Sequence, residues 1–225
     1  MNHKLISFLS EFVTAERLAL FNKTLSLRTN YLTVVLEDLY QTQNTSAVVR
    51  TADCFGIQNV HVIENKHTFQ VNPDVVRGAS NWVTVNRHNG TEMNTPEALK
   101  KLRQDGYRIV VASPHEHDVD LENFDLTKGK VALVFGCERP GLTEWAKNEA
   151  DEFMKIPMVG FTESLNVSVA VAVAIHHLTH QLRTSTSIDW HLTDNEKQKL
   201  LLEWLRTSIK RVDLLEKKFE ELYKY

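Results

Sequence analysis

Three segments of the chain place polar or flexible residues beside apolar runs. The first, residues 44–53, contains Arg50; the second, residues 134–141, contains Glu138; the third spans residues 156–168. Each lies where a strand or a helix is predicted to end, and the ligand sites of α/β folds are built at such ends. The guanidinium of Arg50 is well suited to gripping a phosphate. These segments are therefore the candidates for chemistry.

Three predicted strands also run into loops that a ligand could approach, at residues 112–114, 135–138 and 156–158. In open α/β sheets, ligands bind beyond the carboxyl ends of the strands. Gly136 in the second loop lets backbone groups come close to a ligand. Ordinary loop composition explains any one of these loops, but three together favour a binding site.

The elements that must position these segments alternate along the chain. The predicted strands are residues 31–36, 59–63, 83–85, 107–112, 131–135 and 153–156. The predicted helices are one or two in residues 3–28, one over 47–55 with Asn44 as its N-cap, and one each over 95–104, 142–150 and 197–222. Strands that alternate with helices predict an α/β fold with a mostly parallel sheet and helices on both faces.

The segment from Val167 to Ile175 fits a strand or a helix by periodicity alone. Valine and isoleucine alternate with smaller residues, which is typical of a strand. The run of apolar and small residues continues to Leu182, however, and is longer than a typical strand. We therefore predict a buried helix that starts near Asn166.

Length and composition suit one α/β domain with helical extensions. The chain has 225 residues, of which 42% are hydrophobic. No apolar run approaches the roughly 20 residues that span a bilayer, and the first residues lack the apolar region of a secretory signal. Cys54 and Cys137 form no disulfide framework or metal-binding pair by spacing. We expect two small core thiols in a reducing cytoplasm.

The formal net charge of −3 shows no overall basic footprint of a nucleic-acid partner. Lysine and arginine nevertheless collect near both ends of the chain. The clusters are Arg17, Lys23 and Arg28, and Arg206, Lys210, Arg211, Lys217 and Lys218. Each cluster is either a contact for RNA or a solvated helix face with interspersed glutamate.

Other site types have weak support. The chain contains no GxGxxG and no GxxxxGK[ST] pattern, which speaks against an oxidoreductase or another enzyme with those phosphate cradles. His176 and His180 have the spacing of a helical metal pair, but no glutamate or third ligand completes the HExxH pattern. His115 and His117 lie in a predicted loop. We expect no metal.

In their order, the three segments resemble the motifs of the SpoU branch of the SPOUT RNA methyltransferases, and within it the TrmH-type tRNA 2'-O-methyltransferases. The resemblance covers about residues 31–183. It implies S-adenosylmethionine as the cofactor, a deep trefoil knot around the cofactor loops, and a homodimer in which the arginine of one subunit faces the cofactor of the other. It also divides the chain into an N-terminal helical extension (1–28), a methyltransferase domain (29–183) and a C-terminal helical extension (184–225).

The resemblance assigns residues to two roles. The cofactor-binding residues would be Ala112, Gly136, Ile156, Met158, Ser164, Leu165 and Asn166. The catalytic residues would be Arg50, Glu138, Asn44, Ser164 and Asn166. Glu138 either positions the substrate or the opposing subunit, or caps the helix from Leu142. Asn44, Ser164 and Asn166 either shape the site or cap helices.

The implied reaction is in-line methyl transfer from a sulfonium to a ribose 2'-hydroxyl in tRNA, with guanosine-18 of the D-loop as the expected target. Another tRNA or ribosomal RNA position, or a non-catalytic RNA-binding relative, remains open. Arg50 is either the base or an electrostatic anchor, and a guanidinium resists deprotonation. The alternative is a structural ion pair with Asp53, one helical turn away.

Overall fold

The computed structural model describes residues 2–113, 119–137 and 141–223. The described residues form two compact units. One unit contains residues 29–190, and the other joins the residues up to Arg28 with those from His191 onward. The three-part division expected from the resemblance stays a prediction.

The larger unit is built on a parallel sheet, in which the described residues supply seven strands in the order β3-β2-β1-β6-β4-β7-β5. The strands are β1 (Leu32–Glu37), β2 (Asn59–Ile63), β3 (Thr84–His88), β4 (Arg108–Ala112), β5 (Val119–Asp120), β6 (Val131–Gly136) and β7 (Glu152–Lys155). All pairings between neighbours are parallel. The predicted α/β fold class is confirmed.

The helices connect these strands and form the smaller unit. In the larger unit they are α3 (Thr42–Cys54), α4 (Pro73–Val76), α5 (Thr95–Gln104), α6 (Glu144–Asn148) and α7 (Val167–Thr184), with 3-10 turns at Ala79–Asn81, Leu121–Asn123 and Leu126–Lys128. In the smaller unit they are α1 (Asn2–Ser10), α2 (Ala15–Leu25), α8 (Asp194–Ser208) and α9 (Val212–Leu222). Among the described helices, none combines the length and apolar character that crossing a bilayer requires.

Helices cover both faces of the sheet, as the alternating pattern predicted. Every residue of β1 is buried, and alternate side chains enter different cores. Val34 and Leu36 pack in the core that contains the apolar residues of α3 and α7. Val35 packs in a second core, with residues of α5 and α6. Strands buried on both faces read as continuous apolar runs, which is why the central strands were predictable.

Two predictions about helices need correction, and a third holds in part. Asn44 does not cap α3, because the helix begins at Thr42 and Gln41 is the N-cap residue. The predicted helix over 197–222 is two helices. Arg211 has a positive φ of 56° between them, and the Arg206 guanidinium bridges the break to the Glu216 carboxylate at 2.7 Å. The helix α7 is confirmed, but only one of its faces is buried.

Two further details differ from the sequence-based expectations. The strand β5 was not predicted, since it has only two residues and pairs only with the edge residues Met154 and Lys155. The expectation of two core thiols is wrong, because Cys54 is exposed at the end of α3 and Cys137 is half-buried. Cys54 falls on the solvent face of its helix.

A buried carboxylate joins β1 to two helices. Glu37, the last residue of β1, is 1% exposed. Its Oε1 accepts hydrogen bonds from the hydroxyls of Thr95 at 2.5 Å and Thr143 at 2.7 Å, and its Oε2 accepts the backbone N–H of Thr143 at 2.8 Å. Thr95 opens α5, and Thr143 is the N-cap of α6. Glu37 therefore fixes the point where the chain returns after the loop that follows β6.

Replacing Glu37 by glutamine should lower the free energy of unfolding by about 2 kcal/mol or more. The glutamine NH2 group would either face the backbone N–H of Thr143 or require both threonine hydroxyls to turn and accept, and in both orientations the hydrogen bonds to a charged carboxylate are lost. Urea unfolding at pH 7 measures the change. The matched control is Glu144→Gln on α6, an exposed carboxylate paired with Lys147, which should change stability by less than about 0.5 kcal/mol. Equal effects of the two substitutions would contradict this role of Glu37.

Two histidines form a pair on neighbouring strands. The Nδ1 of buried His61 lies 3.1 Å from the Nε2 of His88, and the rings are stacked. Burial, followed by the nearby charges of His88 and Lys101, lowers the pKa of His61 to about 4. The folded protein therefore holds His61 neutral at pH values at which the unfolded chain takes up a proton.

The stabilisation from neutral His61 is present above the unfolded pKa of about 6.5 and is lost as the pH falls toward 4. The free energy of unfolding should therefore decrease by about 2 kcal/mol between pH 7 and pH 5 through this residue. His61→Gln, which cannot titrate, should show a correspondingly smaller loss in urea unfolding over the same range. Identical pH dependence of the two proteins would refute this assignment.

Candidate functional site

A cavity of about 410 Å³ opens at the carboxyl ends of three neighbouring strands. Its wall contains Ala112 at the end of β4, Gly136 at the end of β6 and Ile156 just after β7. Because these strands are adjacent and parallel, their ends meet at one edge of the sheet. The structure thus brings together the three loops that the sequence marked as candidates.

The third segment completes the wall. Met158, Ser164 and Leu165 line the cavity, followed by Val167 and Ala170 of α7. The lining is mostly apolar, with a few polar groups, which is the usual character of a site for an organic ligand. Among the predicted cofactor residues, Asn166 is the one that does not lie on the wall.

The described part of the wall contains one charged residue, Lys147. It lies on α6, and its ammonium is 2.8 Å from the carboxylate of Glu144. Sequence reasoning missed Lys147, because nothing in its neighbourhood distinguishes it from any other exposed helical lysine.

The backbone of Gly141 and Leu142 lies against the end of β6. A Cβ atom at Gly136 would lie 2.6 Å from the backbone N of Leu142 and 2.7 Å from the carbonyl carbon of Gly141. Real Cβ atoms do not come so close to backbone, so only glycine fits here. The wall of the cavity is therefore shaped by backbone that passes against Gly136.

A hydrogen bond joins the first and third segments. The amide of Asn166 donates to the Oδ1 of Asn44 at 3.2 Å. Asn166 is also the N-cap of α7, since its Oδ1 accepts the N–H of Ser168 at 2.9 Å. Asn44, in the first turn of α3, donates to Gln41 at 3.0 Å. These contacts align the starts of α3 and α7.

The same two helices are joined at their other ends. The Phe55 ring lies edge-on to the ring of His176, with 5.6 Å between centroids. The Arg183 guanidinium donates to the carbonyl of Phe55 at 2.6 Å. Contacts at both ends mean that α3 and α7 run side by side in the same direction.

Arg50 lies on the exposed side of α3 and not on the cavity wall. Among the described residues it makes no hydrogen bond or ion pair, so the alternative of an ion pair with Asp53 is not realised. The structure therefore does not bring Arg50 into the cavity of its own chain.

Some candidates lie outside the described residues. Glu138, the second predicted catalytic residue, is one of them, and so are His115 and His117. In the part of the chain that is described, no three His, Cys, Asp or Glu residues are placed to hold a metal ion. His176 and His180 are exposed on α7.

The basic cluster near the start of the chain is only partly a surface feature. Arg28 is 1% exposed, and its guanidinium lies over the Trp204 ring, 5.5 Å from the centroid. Burial against an aromatic face was neither of the two alternatives considered for this cluster. Arg28 therefore stabilises the smaller unit.

Comparisons with known proteins agree with this geometry. Residues 31–176 match the SpoU rRNA Methylase family. The tRNA (guanosine(18)-2'-O)-methyltransferase of Borreliella burgdorferi is 44% identical over 213 residues, which cover 95% of each chain. The enzyme of that name from Thermus thermophilus is 34% identical over 176 residues, 78% of this chain and 88% of the relative. The crystal structure of the A. aeolicus TrmH/SpoU tRNA modifying enzyme, 26% identical, has a TM-score of 0.76 and covers 87% of this chain and 98% of that one. With well over half of its length in the family match, the chain belongs to the SpoU rRNA methylase family.

Proposed function

We propose that this protein transfers a methyl group from S-adenosylmethionine to a ribose 2'-hydroxyl in tRNA, with guanosine-18 as the target. The observation that carries the proposal is the cavity at the ends of β4, β6 and β7, which is lined by the family's motif loops. Identity of 44% across nearly the whole chain to a relative named for guanosine-18 supports the target. Since the family's description names ribosomal RNA, another RNA position is the alternative.

The cavity fits the proposed cofactor. Ala112, Gly136 and Ile156 present an apolar surface, suited to an adenine ring and to the aliphatic part of the methionine chain. Lys147 supplies a cation that suits the carboxylate of a methionine. When bound, S-adenosylmethionine supplies an electrophilic methyl group. The residues of the wall hold it and exclude water from it.

Arg50 would act on the RNA and not on the cofactor. A guanidinium keeps its charge and has no lone pair to accept a proton, so a role as base is disfavoured. It can grip the phosphate beside the target ribose, or stabilise the alkoxide that forms as the 2'-hydroxyl gives up its proton to solvent. Either role lowers the barrier by orientation and charge. We therefore assign Arg50 as the electrostatic anchor.

The geometry of one protomer leaves Arg50 without a methyl donor to face. A homodimer would supply it. Val159 and Phe161 are fully exposed, and Val169 and Val173 of α7 are exposed by 47% and 39%. Apolar surface of this kind favours association. Because α3 runs beside α7, a partner packed on this face would meet Arg50.

Three expectations accompany the proposal. Glu138 and Ser164 would help position the substrate near the cavity, and Asn44 with Asn166 would hold the two motif helices in place. The trefoil knot that the resemblance implies stays a prediction, and so does the cytoplasmic location expected from the cysteines.

Arg50→Ala should reduce methyl transfer by about a hundredfold or more, as loss of a donor to a developing oxyanion does. Its affinity for S-adenosylmethionine, measured by calorimetry, should be unchanged, because Arg50 is not on the cavity wall. The assay uses labelled S-adenosylmethionine and unmodified tRNA, with the methylated nucleotide then mapped. The matched control is Arg50→Lys, which keeps the positive charge but lacks the planar guanidinium and its forked N–H donors.

Near-normal turnover by Arg50→Ala would remove Arg50 from the mechanism. Label on a base, or wild-type protein that binds tRNA without methylating it, would overturn the proposed function itself. Label at another ribose would keep the reaction and change the target.

Two inactive variants should restore each other if the site is shared between subunits. Arg50→Ala keeps its cavity, and Ala112→Phe fills its cavity but keeps Arg50. In an equal mixture of dimers formed by co-refolding, half are mixed and each mixed dimer has one complete site, which gives about one quarter of the wild-type activity. Both variants are first checked by thermal unfolding and analytical ultracentrifugation.

No recovery of activity in mixed dimers, or full activity of a strictly monomeric protein, would show that the site belongs to a single chain.

A further inference from the structure

A second opening in the larger unit has a different character from the cofactor cavity. It is a crevice of about 610 Å³ that shares no described lining residue with that cavity. Its lining includes Tyr40, Gln41, Gln43, Lys66, His67 and Gln70. Each of these side chains has a group that can form hydrogen bonds, and no carboxylate lies among the described lining residues. The proposed methyl transfer assigns no role to this crevice.

One wall of the crevice is held by an unusual aspartate. Asp38 has a positive φ of 56°, a conformation that costs energy in a residue with a side chain. Its Oδ1 accepts three backbone N–H groups, from Asn65 at 3.2 Å, Lys66 at 2.7 Å and His67 at 2.8 Å. The loop after β2 is thus fixed, and it presents Lys66 and His67 to the crevice in a defined geometry.

The exposed groups of the crevice match the parts of a nucleotide. Tyr40 is 75% exposed, and its ring is steadied edge-on by His67, with 5.1 Å between centroids. An exposed aromatic ring is a stacking platform for an unpaired base. Lys66 is exposed and makes no ion pair with any described residue, so it can neutralise a phosphate. A protein partner would need an apolar centre that this lining lacks.

The crevice lies at the start of α3, the helix that contains Arg50. Thr42, the first residue of α3, belongs to its lining. Arg50 follows eight residues later, about 12 Å along the helix axis. One strand of RNA could therefore contact the crevice and Arg50 together.

We infer that this crevice binds a nucleotide of the RNA substrate near the methylated one, with Lys66 on a backbone phosphate and Tyr40 stacked on the base. The inference rests on the proposed function, because it takes RNA as the ligand. It adds a contact outside the three motif segments.

Two substitutions test the two contacts in the full-length protein, by fluorescence anisotropy with unmodified tRNA over a salt series. Lys66→Gln should weaken binding and reduce the slope of log K against log salt by about 0.7–0.9, the value for one lost phosphate contact. Lys100→Gln, an exposed lysine on α5, is the matched control and should leave the slope unchanged. Tyr40→Ala should weaken binding about fivefold or more, whereas Tyr40→Phe, which keeps the stacking ring, should bind like wild type.

Calorimetry with S-adenosylmethionine and thermal unfolding should be unchanged in all four variants, which separates the crevice from the cofactor cavity. Wild-type binding and slope in Lys66→Gln and Tyr40→Ala, with tRNA still methylated, would overturn this inference and leave the proposed function intact. Wild-type protein that neither binds nor methylates any RNA would overturn both. An equal change of slope in Lys100→Gln would show general charge screening and also defeat the assignment.

Discussion

The hydrogen bonds of one buried carboxylate, that of Glu37, set the shape of the sheet edge where the cavity opens. Glu37 ends β1, which lies between β2 and β6, and it is aligned with Ile63 of β2 and Gly136 of β6. Removing a carboxylate from water costs several kcal/mol unless donors replace the water. The replacements come from Thr95 and Thr143, which lie far away in sequence. The sheet, the start of α5 and the return of the loop after β6 must therefore be in place together.

The fixed position of Thr143 explains how a cavity with so little charge can select its ligand by shape. The loop held at Thr143 passes directly against Gly136, where a side chain would collide with backbone. The part of the wall at Gly136 is thus defined by main-chain geometry, whereas the motif residues Asn44 and Asn166 join two helices and do not line the cavity. Asn166 illustrates the point, since it caps α7 and contacts Asn44 but does not reach the wall.

The sequence predicted those features that arise from local patterns. The central strands are continuous apolar runs, and Gly106 with its positive φ ends α5 where expected. The features that depend on distant contacts were missed or wrong. The two residues of β5 are a strand only because β7 lies beside them, and Arg28 is buried only because Trp204 covers it.

The candidate site also divides into residues that the sequence identified and residues that only the structure reveals. The resemblance placed Ala112, Gly136 and Ile156 at one ligand, and all three line the cavity. The crevice at Tyr40 and Lys66 had no sequence signal, because its two sides are 26 residues apart and the aspartate that fixes the loop is recognisable only from its contacts.

The proposed homodimer would account for two observations that look unrelated. Arg50 has no described partner in its own chain, although an arginine on a helix usually finds a carboxylate within a turn or two. Val169 and Val173 are exposed on a helix whose other face is buried and, apart from Thr179, apolar. Both lie on the exposed surface of the aligned pair α3 and α7. A chain that evolved as a monomer would gain by replacing those valines and by pairing that arginine. A chain whose α7 packs on a second copy gains from keeping both, because the apolar face supplies the association and the unpaired guanidinium remains available to the neighbouring cavity.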